Sequence, residues 1–302
     1  MKAAVLHRYG GPENLMYEEL PDPVPGAGEV LVKVAAAGIN PIDVHWISGA
    51  TEAWRTLQFP AVLGWDVSGT VAQLGSGVNE LSVGDRVAAW ADHTFAELVV
   101  AKAELFAQVP SGLDLVDAAA LPLVTLTGSQ LISMGSGMKP GDTVIVAGAA
   151  GGVGRSAVYM AKKLGGTVIA GVLQSQLDQA QSIGAHRTVA LDDPAAFAAL
   201  PQVEIVANCV GGATASELMG KVKAGGTFAS VTGPPGNADA YPAVKVVSFR
   251  SKSNSAQLRA IMEAVATGEL TIPIDRRIPL RDAAAGVAAE AKGGIGKVLL
   301  VP

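Results

Sequence analysis

The stretch Thr143-Val144-Ile145-Val146-Ala147-Gly148-Ala149-Ala150-Gly151-Gly152-Val153-Gly154-Arg155 decides how the chain is read. A short apolar run ends on a glycine-rich turn, and residues 155–164 then have the composition of a helix. Strand, glycine turn and helix in that order form the context in which a dinucleotide is bound. Glycines there permit the tight turn, let the backbone approach a pyrophosphate and let the helix pack on the strand, while free N–H groups at the helix start meet the negative charge. Gly148, Ala150, Gly151, Gly152, Val153 and Gly154 are therefore candidate phosphate-binding residues, and a Cβ at Gly151 or Gly152 is expected to clash with the ligand. The glycine spacing G-x-x-G-x-x-G differs by one residue from the usual fingerprint, so the context carries more weight than the letters. The competing reading is a glycine-rich connection in an ordinary α/β sheet.

Beyond this turn, apolar runs at 167–172, 203–210 and 226–231 alternate with helical segments at 177–183 and 215–221. Repeated strand-helix units of that length specify a parallel sheet with helices on both faces. Before it, residues 1 to about 110 read as short strands, among them 66–74, 86–90 and 95–100, with a turn at Ser82-Val83-Gly84-Asp85. Val30, Val32 and Val34 alternate with Leu31, Lys33 and Ala35 and predict a strand buried on both faces or nearly so. Helices are expected at 113–120, 127–134 and 256–267, and strands at 244–249 and 296–301.

The 302 residues are too many for one compact domain by the usual length prior and point to two. With 22 basic against 27 acidic residues, the net charge of −5 argues against a nucleic-acid binder. The longest uncharged stretch, residues 118–138, carries Pro122 and several hydroxyl side chains, unlike a bilayer helix. No apolar signal core follows Met1, so a cytoplasmic location is expected, with no membrane. One cysteine, Cys209, excludes an intrachain disulfide and a thiolate-built zinc site.

The second strand of the parallel sheet ends Gly171-Val172-Leu173-Gln174-Ser175, and no acid follows until Asp178. An acid there would hold a ribose 2′-hydroxyl and favour NAD, so its absence favours NADP. Ser175 and Arg187 are the candidate partners of a 2′-phosphate, and both also read as plain surface residues.

Several further stretches carry a resemblance: Ala37-Gly38-Ile39-Asn40-Pro41-Ile42-Asp43, Leu63-Gly64-Trp65-Asp66-Val67-Ser68-Gly69, Val83-Gly84-Asp85-Arg86-Val87, Ala118-Ala119-Ala120-Leu121-Pro122, the glycine turn, and Gly296-Lys297-Val298. With them the chain resembles the zinc-free quinone oxidoreductase branch of the medium-chain dehydrogenase/reductase superfamily over nearly its whole length. The resemblance implies an α/β fold of two domains. Residues 1–112 and 245–302 would make a GroES-like β-rich catalytic domain, and residues 113–244 a Rossmann doubly wound parallel sheet. It also implies NADPH as cofactor, a small-molecule quinone or enone as substrate, and a homodimer joined through the Rossmann sheets. Thr127, Val210, Thr232, Phe249 and Ser251 fall where the family's backbone passes the cofactor. Zinc-dependent relatives place a Cys where Asn40 stands and a His where Trp65 stands, so no metal is expected. The chain also departs from NADPH-using members, with Gln176 or Leu177 at a frequent lysine position and Leu191 at a frequent tyrosine position.

Zinc-free hydride transfer needs hydrogen bonds to the developing charge. Asn40 is a candidate donor to a carbonyl, Asp43 a candidate orienting group, and His45 a candidate proton donor. For Asn40 and Asp43 the alternative is a turn-stabilising pair. Trp46, Trp54, Trp65 and Trp90 read either as core or as a flat aromatic pocket. Thr127 reads as a nicotinamide contact or a helix cap, Cys209 as an inert buried thiol, and the Arg250-Ser251-Lys252 cluster as a phosphate contact or a solvated loop. Beside the quinone or enone reductase stand two alternatives, an enoyl-thioester reductase and a non-catalytic nucleotide- or RNA-binding protein of the crystallin kind.

Overall fold

In the computed structural model, residues 1–53 and 56–302 are described. The chain divides into two compact units, Met1–Leu123 with Ser253–Gly268 and Ile272–Pro302, and Val124–Lys252 with Glu269–Thr271.

The first unit opens with β1 (Lys2–Leu6), β2 (Leu15–Glu19), β3 (Glu29–Gly38), the helix α1 (Pro41–Ser48) and β4 (Ala61–Val62). It continues through β5 (Asp66–Leu74), β6 (Arg86–Trp90), β7 (Leu98–Lys102), β8 (Phe106–Gln108) and the short helix α2 (Leu115–Ala118). Along β3 the buried residues are Val30, Val32, Val34 and Ala36, while Lys33 is exposed and Leu31 half-buried. The strand is thus buried on one face until its end, where Ala37 and Gly38 are covered too. That corrects the expectation of two buried faces, because antiparallel sheets leave one side to solvent.

The second unit begins within helix α3 (Pro122–Gln130) and includes its π-helical continuation Leu131–Gly135. Its elements are β9 (Thr143–Ala147), α4 (Gly152–Lys163), β10 (Thr167–Val172), α5 (Leu177–Ala180), β11 (Arg187–Ala190), α6 (Pro194–Ala198), β12 (Val203–Asn208), α7 (Gly212–Leu218), β13 (Val222–Ser230) and β14 (Lys245–Ser248). The six strands pair in the order β11-β10-β9-β12-β13-β14, all parallel. The core strands β9, β10 and β12 are almost wholly buried, as a sheet covered on both faces requires.

The chain then returns to the first unit with α8 (Ser255–Ala266), β15 (Ile274–Pro279), α9 (Ala283–Ala291) and β16 (Lys297–Val301). β16 pairs antiparallel with the end of β3 and joins the seven-stranded sheet β15-β16-β3-β5-β6-β8, on which β7 pairs with β3. A separate sheet, β2-β1-β4, packs Ala4 and Leu6 against Trp46, Ile47 and Leu300.

Both expected domain boundaries shift. Residues 113–123 belong with the first unit, where Ser68 Oγ donates to the carbonyl of Leu115. Residues 245–252 belong with the second, because β14 extends the parallel sheet beside β13. Among the described residues no helix is long and apolar enough to cross a membrane.

Candidate functional site

The carboxyl ends of β9, β10, β12, β13 and β14 lie along one edge of the parallel sheet. The chain runs outward from β9 through β10 to β11 and then crosses back to β12 on β9's other side. Ligands of such sheets bind at that reversal. The glycine turn occupies it.

Each glycine there has its own cause. Gly148 leaves β9 with φ +76°, a left-handed conformation, while its N–H and that of Ala149 donate to the carbonyl of Gly171. A Cβ on Gly154 would lie 2.1 Å from the Gly148 carbonyl oxygen, so the helix could not close on the loop. A Cβ on Gly152 would sit 3.0 Å from Val124, a tight contact inside the protein that acts there beside the ligand approach expected from the sequence. At Gly151 a Cβ would meet only the Gly148 carbonyl oxygen, at 3.6 Å, and φ is an ordinary −78°. Nothing in the fold requires glycine at 151. The space a side chain would fill is a cradle open to a ligand, and no side chain caps α4, so the N–H groups of its first turn face that space.

The other edge residues gather around Asn208, at the end of β12. Its Nδ2 lies 2.5 Å from the Val210 carbonyl oxygen, 3.0 Å from Ser230 Oγ and 3.2 Å from Thr232 Oγ1, and Thr232 Oγ1 donates to the Val210 carbonyl at 3.0 Å. Val210 and Thr232 are thus brought together by a residue the sequence reading passed over; its only signal was an amide ending an apolar strand. Thr127 Oγ1 and Ser251 Oγ are 2.7 Å apart. Thr127 lies inside α3, so it is not a helix cap. Gln130 fixes the same segment by donating to the Lys252 carbonyl and accepting from its N–H. Phe249 follows β14, its N–H donating to the Ser230 carbonyl. Cys209 is inert, because burial pushes its thiol up to about 12.

At the end of β10, Ser175 is exposed in a tight turn. Arg187 starts β11. It pairs with Ile169 at the start of β11, three residues before the edge that Val172 and Ala190 reach, so about 10 Å away. The structure also supplies an acid that the local sequence lacks. Asp192, just past β11, accepts a hydrogen bond of 2.7 Å from the N–H of Gln174.

In the first unit, Asn40 precedes α1. The Asp43 carboxylate accepts from the Asn40 N–H at 2.9 Å and closes the first turn. The Asn40 side chain turns inward: Nδ2 donates to Asp66 Oδ2 at 3.0 Å and Oδ1 accepts from Lys297 Nζ at 2.5 Å. Lys297 also donates to the Ile39 carbonyl and lies 3.5 Å from Asp66, whose other oxygen accepts from the N–H of Leu123 at 2.7 Å. Asn40, Asp43, Asp66 and Lys297 are all buried. The second Nδ2 hydrogen of Asn40 faces the Gly38 carbonyl at 3.4 Å, so no donor is left for a substrate carbonyl, and its expected catalytic role, with that of Asp43, gives way to ordering the ends of β3, β5 and β16. Burial pushes the Asp43 carboxyl up to about 7 against the Asn40 N–H and the Lys297 charge. His45, on the open face of α1, is exposed.

Trp46 is core, and Trp65 stacks on Trp90 with centroids 5.6 Å apart while meeting Trp46 edge-on at 5.1 Å. Trp46 and Trp65 also line a cavity of about 540 Å³ with Leu57, Val62, Leu63 and Leu98, so both readings of the tryptophans hold in part. Trp54 lies outside the described residues. Among the described residues no three His, Cys, Asp or Glu side chains come together as a metal site.

Two family models match, an alcohol dehydrogenase GroES-like domain over residues 26–111 and a zinc-binding dehydrogenase over residues 183–300. A 2-haloacrylate reductase of a Burkholderia species is 29% identical over 99% of this chain and 98% of its own. The quinone oxidoreductase structure from Coxiella burnetii superposes with a TM-score of 0.88 at 29% identity, covering 100% of this chain and 99% of that one. A mycobacterial protein solved with NADPH matches at 30% identity and a TM-score of 0.84 over the full length of both chains. The chain belongs to the quinone oxidoreductases of the medium-chain dehydrogenase/reductase superfamily. In this family member the glycine cradle, the Asn208 cluster and the Thr127–Ser251 pair all lie in the parallel-sheet unit. Both the half-open tryptophan cavity and His45 belong to the GroES-like unit of the oxidoreductase.

Proposed function

We propose that the chain is an NADPH-dependent, zinc-independent oxidoreductase that reduces a quinone or a related α,β-unsaturated carbonyl. The observation that carries this reading is the open cradle at Gly151, set at the strand reversal beneath the uncapped first turn of α4. Residues 150–153 would hold the bridging phosphates with backbone N–H groups, and Val210 and Thr232 would present carbonyl and hydroxyl oxygens to the nicotinamide half. The Thr127–Ser251 pair and Phe249 would border the same edge. NADPH supplies the hydride when bound. His45 is the proton donor to the oxygen or α-carbon of the reduced substrate, since it is exposed and the nearby carboxyl groups are committed to the interior.

The unit of assembly is a homodimer paired through β14, one of the two edge strands of the parallel sheet. The protein acts in the cytoplasm on a small molecule, without nucleic acid or membrane. Stopped-flow oxidation of NADPH by a panel of quinones, enones and enoyl thioesters tests the reading. Turnover of quinones or enones in the presence of a chelator is expected. Turnover restricted to thioesters, or abolished by chelation and restored by zinc, would overturn it.

A further inference from the structure

Among the described residues two cations are buried, and they are treated differently. Lys297 has an aspartate, an amide oxygen and a carbonyl around it. Arg155, only 6% exposed, has a single hydrogen bond among the described residues, from Nε to the Ala150 carbonyl at 2.9 Å. No carboxylate there pairs with it. Burial alone acts on its pKa, pulling it down, and the group still stays charged. Nε is thus committed to the glycine turn, while the terminal N–H groups have no partner among the described residues and are not sealed inside the fold, so they remain free to meet a ligand.

Its position says what the remaining donors face. Arg155 is the fourth residue of α4, and helical side chains tilt back toward the helix start. Ser156 beside it faces α3, with Oγ on the Thr125 carbonyl, and Gly154 faces the glycine turn. Lys162, seven residues on and so on Arg155's own face, lies beside Gly184 in the β10–β11 connection. The Nε bond to the Ala150 carbonyl holds the guanidinium at the glycine turn, on the face of α4 that Lys162 shares. The connection that carries Gln174, Ser175 and Gln176 contains no cation, Arg187 sits at the far end of β11, and Asp192 adds a negative charge to it.

We propose that Arg155 supplies the positive charge for a phosphate group of the bound dinucleotide, with its free N–H fork completing the cradle formed by the glycine turn. The inference rests on the dinucleotide reading above. The guanidinium fork matches phosphate oxygens, which a lone serine cannot replace.

The test titrates NADPH and NADH by fluorescence against wild type, Arg155→Met and Arg155→Lys, with thermal melts of each apoprotein. Arg155→Met is expected to bind about 10- to 100-fold more weakly, the loss of one charge-assisted contact. Arg155→Lys should recover part of that loss, because it keeps the charge but not the fork. The Arg155→Met apoprotein should melt close to wild type, because the terminal N–H groups hold nothing in the apoprotein and only the bond to Ala150 is lost. Equal weakening toward both nucleotides assigns the contact to the bridging diphosphate, and weakening toward NADPH alone assigns it to the 2′-phosphate; either supports the proposal. Unchanged affinities, or an Arg155→Met apoprotein that melts well below wild type or does not fold, would make Arg155 a brace for Ala150 and overturn it while the dinucleotide reading stands. Absence of saturable binding to wild type would remove that reading and the inference with it.

Discussion

The glycine turn after β9 and the polar cluster around Asn40 both looked functional in sequence, and they use their hydrogen-bonding groups in opposite ways. The cluster is closed: Asn40, Asp43, Asp66 and Lys297 consume one another's donors and acceptors inside the fold. The turn is open, with the uncapped start of α4, the space at Gly151 and the unpaired fork of Arg155 all left unspent. A polar group satisfied internally stabilises a geometry, whereas one left unsatisfied at an edge awaits a ligand. The comparison can be broken at four places.

The largest effect is expected from Lys297→Met, which strands Asp66 as an unpaired buried carboxylate. A loss of about 3 to 5 kcal/mol should appear in urea unfolding. A variant as stable as wild type would mean the cluster is not held by that charge.

Next come two glycines three residues apart. Gly154→Ala drives a Cβ into the Gly148 carbonyl and should destabilise the apoprotein by several kcal/mol. Gly151→Ala meets open space, so the apoprotein melt should stay within a degree or two while NADPH affinity falls at least about tenfold. If Gly151→Ala loses stability instead, the turn is structural throughout.

The pH dependence of the closed cluster is the third. Asp43 titrates near 7 in the folded chain and near its ordinary 3.8 when unfolded. As pH rises from about 4 to 7 the unfolded chain releases this proton and the folded one keeps it, so the contribution of Asp43 becomes progressively less favourable and levels off above 7. Asp43→Asn, whose Oδ1 still accepts from Asn40, should therefore gain on wild type across that window, by on the order of 2 to 4 kcal/mol. A stability difference that is flat between pH 4.5 and pH 8 would show Asp43 to be ionised in the fold.

The smallest concerns Asp192. Removing its charge with Asp192→Asn should raise the affinity for NADPH relative to NADH by a few fold, less in high salt because the site is exposed. Arg187→Ala should change neither affinity. A shift toward NADH in Asp192→Asn would mean that the carboxylate does not face the 2′ position.

The apolar run from Thr143 to Ala147, the glycines behind it and the alternation of strands and helices after it were legible because each depends on local backbone conformation and on a period of a few residues. Those features by themselves pointed to a parallel sheet and its ligand-binding edge, while the family resemblance needed the further stretches at 37–43, 63–69, 83–87, 118–122 and 296–298. Satisfaction of polar groups is not local, and there the sequence reading failed or stopped. Lys297 reaches the carbonyl of Ile39 across 258 residues and turns Asn40 from a substrate donor into a buried link. β14 left the expected domain because its partner was β13, and Asp192 placed an acid beside Gln174 from the neighbouring strand. Which donors remain for a ligand is what the others do not use, and only the tertiary structure decides that.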